Sequence, residues 1–358
     1  MKASKSVSSF HNVLDDDLFY ESFDYAGDSS VLLRSPSCPH HLPWDRNIII
    51  LSPSATNSNS QTADILEQLL PLDSADSIKD CNRDEKWSVP ETFMKLDVLG
   101  RGSFGTVYRC YDWRADRNFV AKEITTKSVT NKLVAQSEIE LLQRLSHPNI
   151  IGYFGSVYND DSIVMYLEFM NAGSLLKRIE RHGPLADNIA IAYVRQIVEA
   201  LSFIHAQGIV HIDIKCDNLL LDERETLKIT DFGSAVMKSV YDENQFFYPF
   251  DAQFGVSLYW SAPEILYHEE FDQSADIWSL GCTVVEMLTG EPPYWKLFET
   301  EFLAAVEARI LSYIPNKLVP KSSDEMKLFL SFLLQSDRRK RVKNGADART
   351  KLKQIFRE

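Results

Sequence analysis

An α+β fold is expected of this 358-residue chain. Strand-patterned segments gather between Phe93 and Met170, and long helical ones follow from Ile189 onward. A further observation is a polar octet, His211-Ile212-Asp213-Ile214-Lys215-Cys216-Asp217-Asn218, between the apolar runs Gly208-Ile209-Val210 and Leu219-Leu220-Leu221. Such a loop costs desolvation unless its polar groups find partners. Another lone acid, Asp231, follows eighteen residues after Asp213. Two acids and an amide on neighbouring loops can hold a hard cation such as Mg2+. One acid can instead stay off the metal and take a proton.

Composition bounds the function. A hydrophobic content of 44% with 25% charged residues is ordinary for a globular protein. The net charge of −13 argues against nucleic acid or an anionic membrane as main partner, and suits an enzyme acting on proteins. The five cysteines are scattered and form no C-x-x-C pair, which points to a reduced, intracellular, cytoplasmic setting with access to the nucleus. The start of the chain has no apolar core of a signal peptide, and Lys2 excludes N-myristoylation. No apolar run approaches the roughly 18 residues that span a bilayer, so membrane insertion is not expected.

Residues 1–90 differ from the rest. They are rich in Ser, Asn, Asp and Pro and hold 14 acidic and 7 basic residues. Such a composition buries too little apolar surface to repay ordering entropy, so a disordered tail is expected. Within it, Ala63–Leu70 places Ile65, Leu66, Leu69 and Leu70 at helical spacing. It can dock on a partner, dock on the domain behind it, or be a transient helix without a role. Arg34-Ser35-Pro36-Ser37-Cys38-Pro39 resembles the R-S-x-S-x-P pattern bound by 14-3-3 proteins once the second Ser is phosphorylated. Cys38, His40 and His41 lack a fourth ligand nearby and read as a plain loop.

Met94–Leu99 alternates like a strand. Gly100-Arg101-Gly102-Ser103-Phe104-Gly105 follows, and Val107–Cys110 continues as a strand rather than a helix. That disfavours a dinucleotide-binding motif and predicts a hairpin whose tip can approach phosphates. Phe119-Val120-Ala121-Lys122 is the next strand. Ser137–Leu145 is a helix with Ile139, Leu142 and Leu145 on one face and Glu138 beside it. His147–Ile151 ends it, and Ile163–Met170 runs apolar into Asn171-Ala172-Gly173-Ser174. Ile189–Gln207 is a long amphipathic helix that feeds the polar octet. Between Asp231 and Glu264 lie 34 residues, inclusive, with no clear period from Tyr241 to Asp251. A loop of that length is functional or disordered. Asp276–Leu288 is an apolar helix stopped by Thr289-Gly290-Glu291-Pro292-Pro293.

The octet resembles the H-R-D-L-x-x-x-N catalytic loop of protein kinases, and Asp231-Phe232-Gly233 matches their D-F-G. The Gly loop, Lys122, Glu138, Ala262-Pro263-Glu264, Asp276 and Arg341 stand in the order of that family. The resemblance implies a bilobal α+β fold, with an N-lobe of antiparallel sheet and one helix at 91–168. A mainly helical C-lobe follows at 169–358 and closes with the last helix of the family. It implies ATP and Mg2+ as cofactors. Asp213 would take the proton of the acceptor hydroxyl, and Lys215 would steady the γ-phosphate. Asn218 and Asp231 would hold the metal. The nucleotide would lie against Gly100, Gly102 and Gly105, with Lys122 on its phosphates and Glu138 locking Lys122. Leu99, Val107, Val120 and Leu220 would sandwich adenine, the backbone of Glu168 and Met170 would bind it, and Leu167 would lie at the back. Ser257 would touch the catalytic Asp and Lys, and Arg341 would pair with Glu264.

Lys two residues after Asp213 is the Ser/Thr-type pattern. Glu138-Ile139-x-Leu141-Leu142, His147-Pro148-Asn149-Ile150-Ile151-x-Tyr153, Glu168-Phe169-Met170-x-x-Gly173-Ser174-Leu175 and Tyr259-Trp260-Ser261 resemble the MAP kinase kinase kinase group, whose substrates are MAP kinase kinases. The alternatives are a Ser/Thr kinase of another group, a pseudokinase scaffold, or an adaptor acting through its tail. One departure stands out. Ile212 occupies a place where the family usually has Arg, so phosphorylation of Ser234, Ser239 or Tyr241 is not expected to raise activity steeply.

Overall fold

The structure is a computed structural model that describes residues 89–102, 105–237, 257–267, 269–293 and 318–357. The tail motifs at 34–39 and 63–70, together with Ser239 and Tyr241, lie outside the described residues. An antiparallel five-stranded sheet comes first, in the order β1-β2-β3-β5-β4. Its strands are β1 (Met94–Gly102), β2 (Gly105–Asp112), β3 (Arg117–Thr125), β4 (Tyr153–Tyr158) and β5 (Ser162–Glu168). β1 and β2 meet at Gly102 and Gly105, as the glycine spacing predicts for a hairpin. A Cβ on Gly105 would lie 1.9 Å from the Glu123 carbonyl oxygen, so only glycine lets β2 run this close to β3. Lys122 faces Val107 on one side and Met165 on the other.

One face of the sheet carries Cys110, Phe119, Ala121, Phe154 and Tyr166, with Phe93, Phe119 and Tyr166 in edge-to-face contact. The other face carries helix α1 (Val129–Leu142), which buries Ile139, Leu141 and Leu142. This helix begins eight residues before the expected Ser137. Its first turns are mostly exposed, with Val129 64% accessible, and so lack an apolar period to read.

After β5 the chain turns helical. Short β6 (Gly173–Ser174) leads to α2 (Leu175–His182), whose N-terminus is capped by Ser174 Oγ accepting from Lys177 N–H. Helix α3 (Asp187–Ala206) ends before β7 (Ile209–Val210). By length and composition α3 could cross a membrane, and no other helix among the described residues could. Its Ala190, Val194, Ile197, Leu201 and Ile204 are buried inside the fold, which makes it a core helix. β8 (Leu219–Leu221) and β9 (Leu227–Ile229) form a small sheet with β6, and β10 (Val236–Met237) pairs with β7.

Four helices complete the described chain: α4 (Pro263–Leu266), α5 (Ser274–Thr289), α6 (Asp324–Leu333) and α7 (Gly345–Ile355). α5 is buried along almost its whole length, and Gly290 ends it in the left-handed region at φ 81°. Its N–H bonds the Glu286 carbonyl there, as a C-terminal glycine allows. One apolar cluster runs from Val120 and Ile139 in the first lobe through Ile197, Leu201 and Val284 in the second. The cleft between the lobes therefore has a continuous floor.

Candidate active site

Lys122 is the first charge on that floor. Its Nζ lies 2.8 Å from both carboxylate oxygens of Glu138 and 3.2 Å from Asp231 Oδ1. Glu138 is buried on α1, whereas Glu140 two residues on is exposed. Burial alone would pull the Lys122 pKa down, but the charges of Glu138 and Asp231 outweigh it and raise it. Burial pushes Glu138 up against the pull of Lys122. Lys122 holds Asp231 below the usual carboxylate range against its desolvation, with Lys215 adding to the effect.

Asp231 sits in the left-handed region at φ 64° and opens a turn of 3-10 helix, Phe232–Ser234. Phe232 is buried and meets the His211 ring edge-on at 4.7 Å. Its N–H also bonds the Glu138 carboxylate. Lys122, Glu138 and Asp231 are thus fixed to one another through the backbone of the Asp-Phe-Gly turn.

The octet is a largely buried loop whose polar groups, one carboxylate oxygen excepted, find hydrogen-bond partners, as the desolvation argument requires. Asn218 Nδ2 donates to the Asp213 carbonyl at 2.9 Å and to Asp213 Oδ2 at 2.7 Å. Lys215 Nζ reaches Asp213 Oδ2 at 2.9 Å and Ser257 Oγ at 2.7 Å. Burial would lower the Lys215 pKa, and the neighbouring Asp213 carboxylate outweighs this and raises it. The other oxygen of Asp213, Oδ1, is buried and has no donor. His211 Nδ1 accepts from Asp213 N–H, so its proton sits on Nε2, which donates to Thr230 O.

What sequence reasoning missed is how the loop is held. Helix α5 presents Asp276, Thr283 and Glu286 to it. Asp276 Oδ2 accepts from His211 N–H at 2.8 Å, and Oδ1 accepts from Ile212 N–H at 2.8 Å. His205 Nε2 adds a third bond to Asp276 at 2.8 Å. Thr283 Oγ1 donates to Ile214 O, and Glu286 accepts from Cys216 N–H and the Trp260 indole. The spacing of seven and three residues places these side chains on one helical face. The readable signal was Asp276, Thr283 and Glu286 at that spacing inside a largely apolar helix that is buried along almost its whole length. The bonds from Asp276 also hold Ile212 in the left-handed region at φ 70°. For a β-branched residue this costs about 1–3 kcal/mol. The Ile212 side chain is buried in the apolar cluster and brings no charge.

Around the nucleotide side, Val120 is buried, and Val107 and Leu220 pack against the same cluster. Leu99 is exposed and does not join it. Val120 pairs with the buried Leu167 in register. The Glu168 N–H is taken by Gly152 O, and its side chain by Gly152 N–H and Lys228. The Met170 carbonyl accepts from Gly173. Gly100 and Gly102 have open space where a Cβ would stand. Glu264 and Arg341 form a buried two-pronged pair at 2.6 and 3.0 Å, as expected.

Two oxygen donors suit a hard cation. One is Asp231, held ionised by Lys122. The other is the Asn218 side-chain oxygen, whose amide nitrogen is already committed to Asp213. No group of three or more His, Cys, Asp or Glu among the described residues could hold a metal ion. Mg2+ bound to phosphates needs only one or two protein oxygens, so the residues present fit it.

Comparison with known proteins agrees with this geometry. The family model "Protein kinase domain" matches residues 93–354. The chain is similar to cell division control protein 7 of Schizosaccharomyces pombe, 34% identical over 69% of this chain and 22% of the relative. It is similar to mitogen-activated protein kinase kinase kinase ANP1 of Arabidopsis thaliana, 31% identical over 70% of this chain and 40% of the relative. It is similar to mitogen-activated protein kinase kinase kinase 3 of Homo sapiens, 33% identical over 61% of this chain and 35% of the relative. The matched segments span between about a fifth and two fifths of these relatives. With the family match covering most of its length and the paired charges of that family in one cleft, the chain belongs to the protein kinases.

Proposed function

We propose that this chain is an ATP-dependent Ser/Thr protein kinase of the MAP kinase kinase kinase group, acting on MAP kinase kinases. The observation that carries the catalytic reading is the orphaned Oδ1 of Asp213, a buried carboxylate oxygen without a donor. A substrate hydroxyl is the donor it lacks. Oδ2, bonded to Lys215 and Asn218, fixes the carboxylate while Oδ1 accepts the hydroxyl proton. Lys215 has two of its three protons engaged within the site, leaving one for the γ-phosphate. Lys122 holds the α- and β-phosphates, locked by Glu138. Glycines 100, 102 and 105 let the hairpin backbone approach them. Asp231 and Asn218 hold Mg2+, which supplies neutralisation of phosphate charge. Leu99, Val107, Val120 and Leu220 bracket adenine, and the backbone of Glu168 and Met170 bonds its edge.

The group assignment rests on similarity to the kinase kinase kinases named above. Wild type and Asp213→Asn, incubated with MgATP and inactive MAP kinase kinases, test both levels. Wild type should phosphorylate Ser or Thr, and the variant should lose at least about 100-fold in kcat. Phosphate on Tyr alone, or an active variant, would overturn the catalytic reading. Phosphorylation of other proteins but not of MAP kinase kinases would overturn the group. Ser37, once phosphorylated, is proposed to recruit a 14-3-3 protein, which a phosphopeptide of 34–39 tests by direct binding. A cytoplasmic site of action with nuclear access is proposed from the cysteine usage, and cell fractionation tests it.

A further inference from the structure

A groove of about 400 Å³ opens between the end of α6 and the length of α7. Phe332 and Val342 give it an apolar lining, and Lys340, Lys343 and Lys351 line it with charge. Arg341 also lines it, but its guanidinium is neutralised by Glu264. The three lysines are different. None forms a salt bridge with a carboxylate among the described residues, although Lys340 stands close enough to Asp337 to act on its charge, and Lys351 Nζ lies 4.2 Å over the Phe332 ring. The single acid in the lining is Asp347. A net-positive groove with an apolar floor is unusual on a chain of charge −13. Its chemistry selects an acidic segment that also carries aromatic or aliphatic side chains.

The chain contains such a segment. Residues 14–28 hold six acids, Asp15, Asp16, Asp17, Glu21, Asp24 and Asp28, and no Lys or Arg. Leu14, Leu18, Phe19, Tyr20, Phe23 and Tyr25 lie among them. We propose that residues 14–28 dock in the groove formed by Phe332, Val342, Lys340, Lys343 and Lys351 of the same chain. Sixty residues separate Asp28 from Val89, where the described chain begins. Extended, they reach about 200 Å, so the tether permits the contact anywhere on the domain. Tethering also places the segment at an effective concentration of order millimolar, so a weak site is filled from within the chain first. The ligand is defined by charge and apolar content, and the proposal stands apart from the reading of the catalytic cleft.

Zero-length carbodiimide coupling of carboxylates to lysines, done on the full chain, tests it. The monomer fraction should contain cross-links from residues 14–28 to Lys340, Lys343 or Lys351. Lys343→Glu with Lys351→Glu should cut their yield by about tenfold, because like charges then face each other. Asp15→Lys, Asp16→Lys and Asp17→Lys should cause the same loss in the otherwise unchanged chain, where the domain is untouched. Combining both sets should restore coupling through the exchanged charges. Cross-links from this segment only to other lysines, only within dimers, or in a yield unaffected by either reversal would overturn the proposal.

Discussion

Glu138 is a buried carboxylate, 3% exposed at its side chain, and its compensation is Lys122 together with the Phe232 N–H. Lys122→Met strands it. Removing one partner of a buried pair costs about 3–5 kcal/mol, and phosphate positioning is lost with it. The pH dependence has a definite sign. Burial and Asp231 raise the Glu138 pKa, and Lys122 opposes them. A carboxyl whose folded pKa exceeds its unfolded value favours folding below the unfolded value, about 4.3, and loses that benefit as pH climbs through the folded one. Lys122→Met should therefore be more stable near about pH 5 than near about pH 8, by a wider margin than wild type. Denaturant midpoints at both values check this, and equal margins would refute it. Ile212 supports a second prediction. It is buried among apolar side chains, where an Arg would leave a charge for a phosphate on the loop between Asp231 and Glu264 to neutralise. Phosphatase-treated enzyme should keep most of its rate, and loss of most of it would contradict this. The charged and amide groups that meet in the cleft were legible because each belongs to a short, ordered motif. Asp276 was legible as a motif member, but its role was not, because its three bonds run to groups 64 to 71 residues away.

At the scale of elements, the backbone of α7 meets that of α3 directly at Gly345. A Cβ on Gly345 would stand 2.3 Å from Ser202 N and 2.5 Å from the Leu201 carbonyl carbon. Backbone cannot yield as a flexible side chain can. Gly345 N–H also bonds His205 Nδ1, which leaves the Nε2 proton for Asp276 and so for the catalytic loop. Gly345→Ala should destabilise the domain by about 2–3 kcal/mol through overpacking and lower kcat as well, read from denaturant midpoints and initial rates. A neutral effect would mean that the two helices separate freely. Contacts of this kind explain which elements could be read beforehand. β1 to β3 and α3 announce themselves by alternation or by helical period. α5 was legible in another way, as a continuous apolar run with a Gly290 stop, because nearly every side chain is buried and no amphipathic period remains. The start of α1 was misplaced for the opposite reason, since exposed first turns carry no apolar face.

For the whole molecule, the decisive feature is that charges from the two lobes meet in the cleft. Lys122 belongs to the sheet lobe and Asp231 to the helical one, and they meet at 3.2 Å. The order of motifs along the chain predicted both lobes. It could not predict this contact, which spans 109 residues. Asp231 remains about half exposed, so its ion pair alone contributes little to stability. A ligand that engages Lys122, Asn218 and Asp231 together would tie the lobes far more firmly. MgATP binds only the folded state, and at about 100 times Kd it should add about 2.7 kcal/mol. For a domain of this size that raises Tm by roughly 5 °C or more. ATP without Mg2+ should give a smaller rise, because the Asn218 and Asp231 oxygens then face phosphate charge with nothing between them. Asp231→Asn should erase the difference that Mg2+ makes while keeping the smaller rise, since Lys122 and the glycine hairpin remain. Thermal unfolding of both proteins with ATP, MgATP and neither reads this out. A variant that still gains from Mg2+ as wild type does would show that Asp231 is not a metal ligand, and the assignment of the two lobes' charges to one shared nucleotide would fail with it.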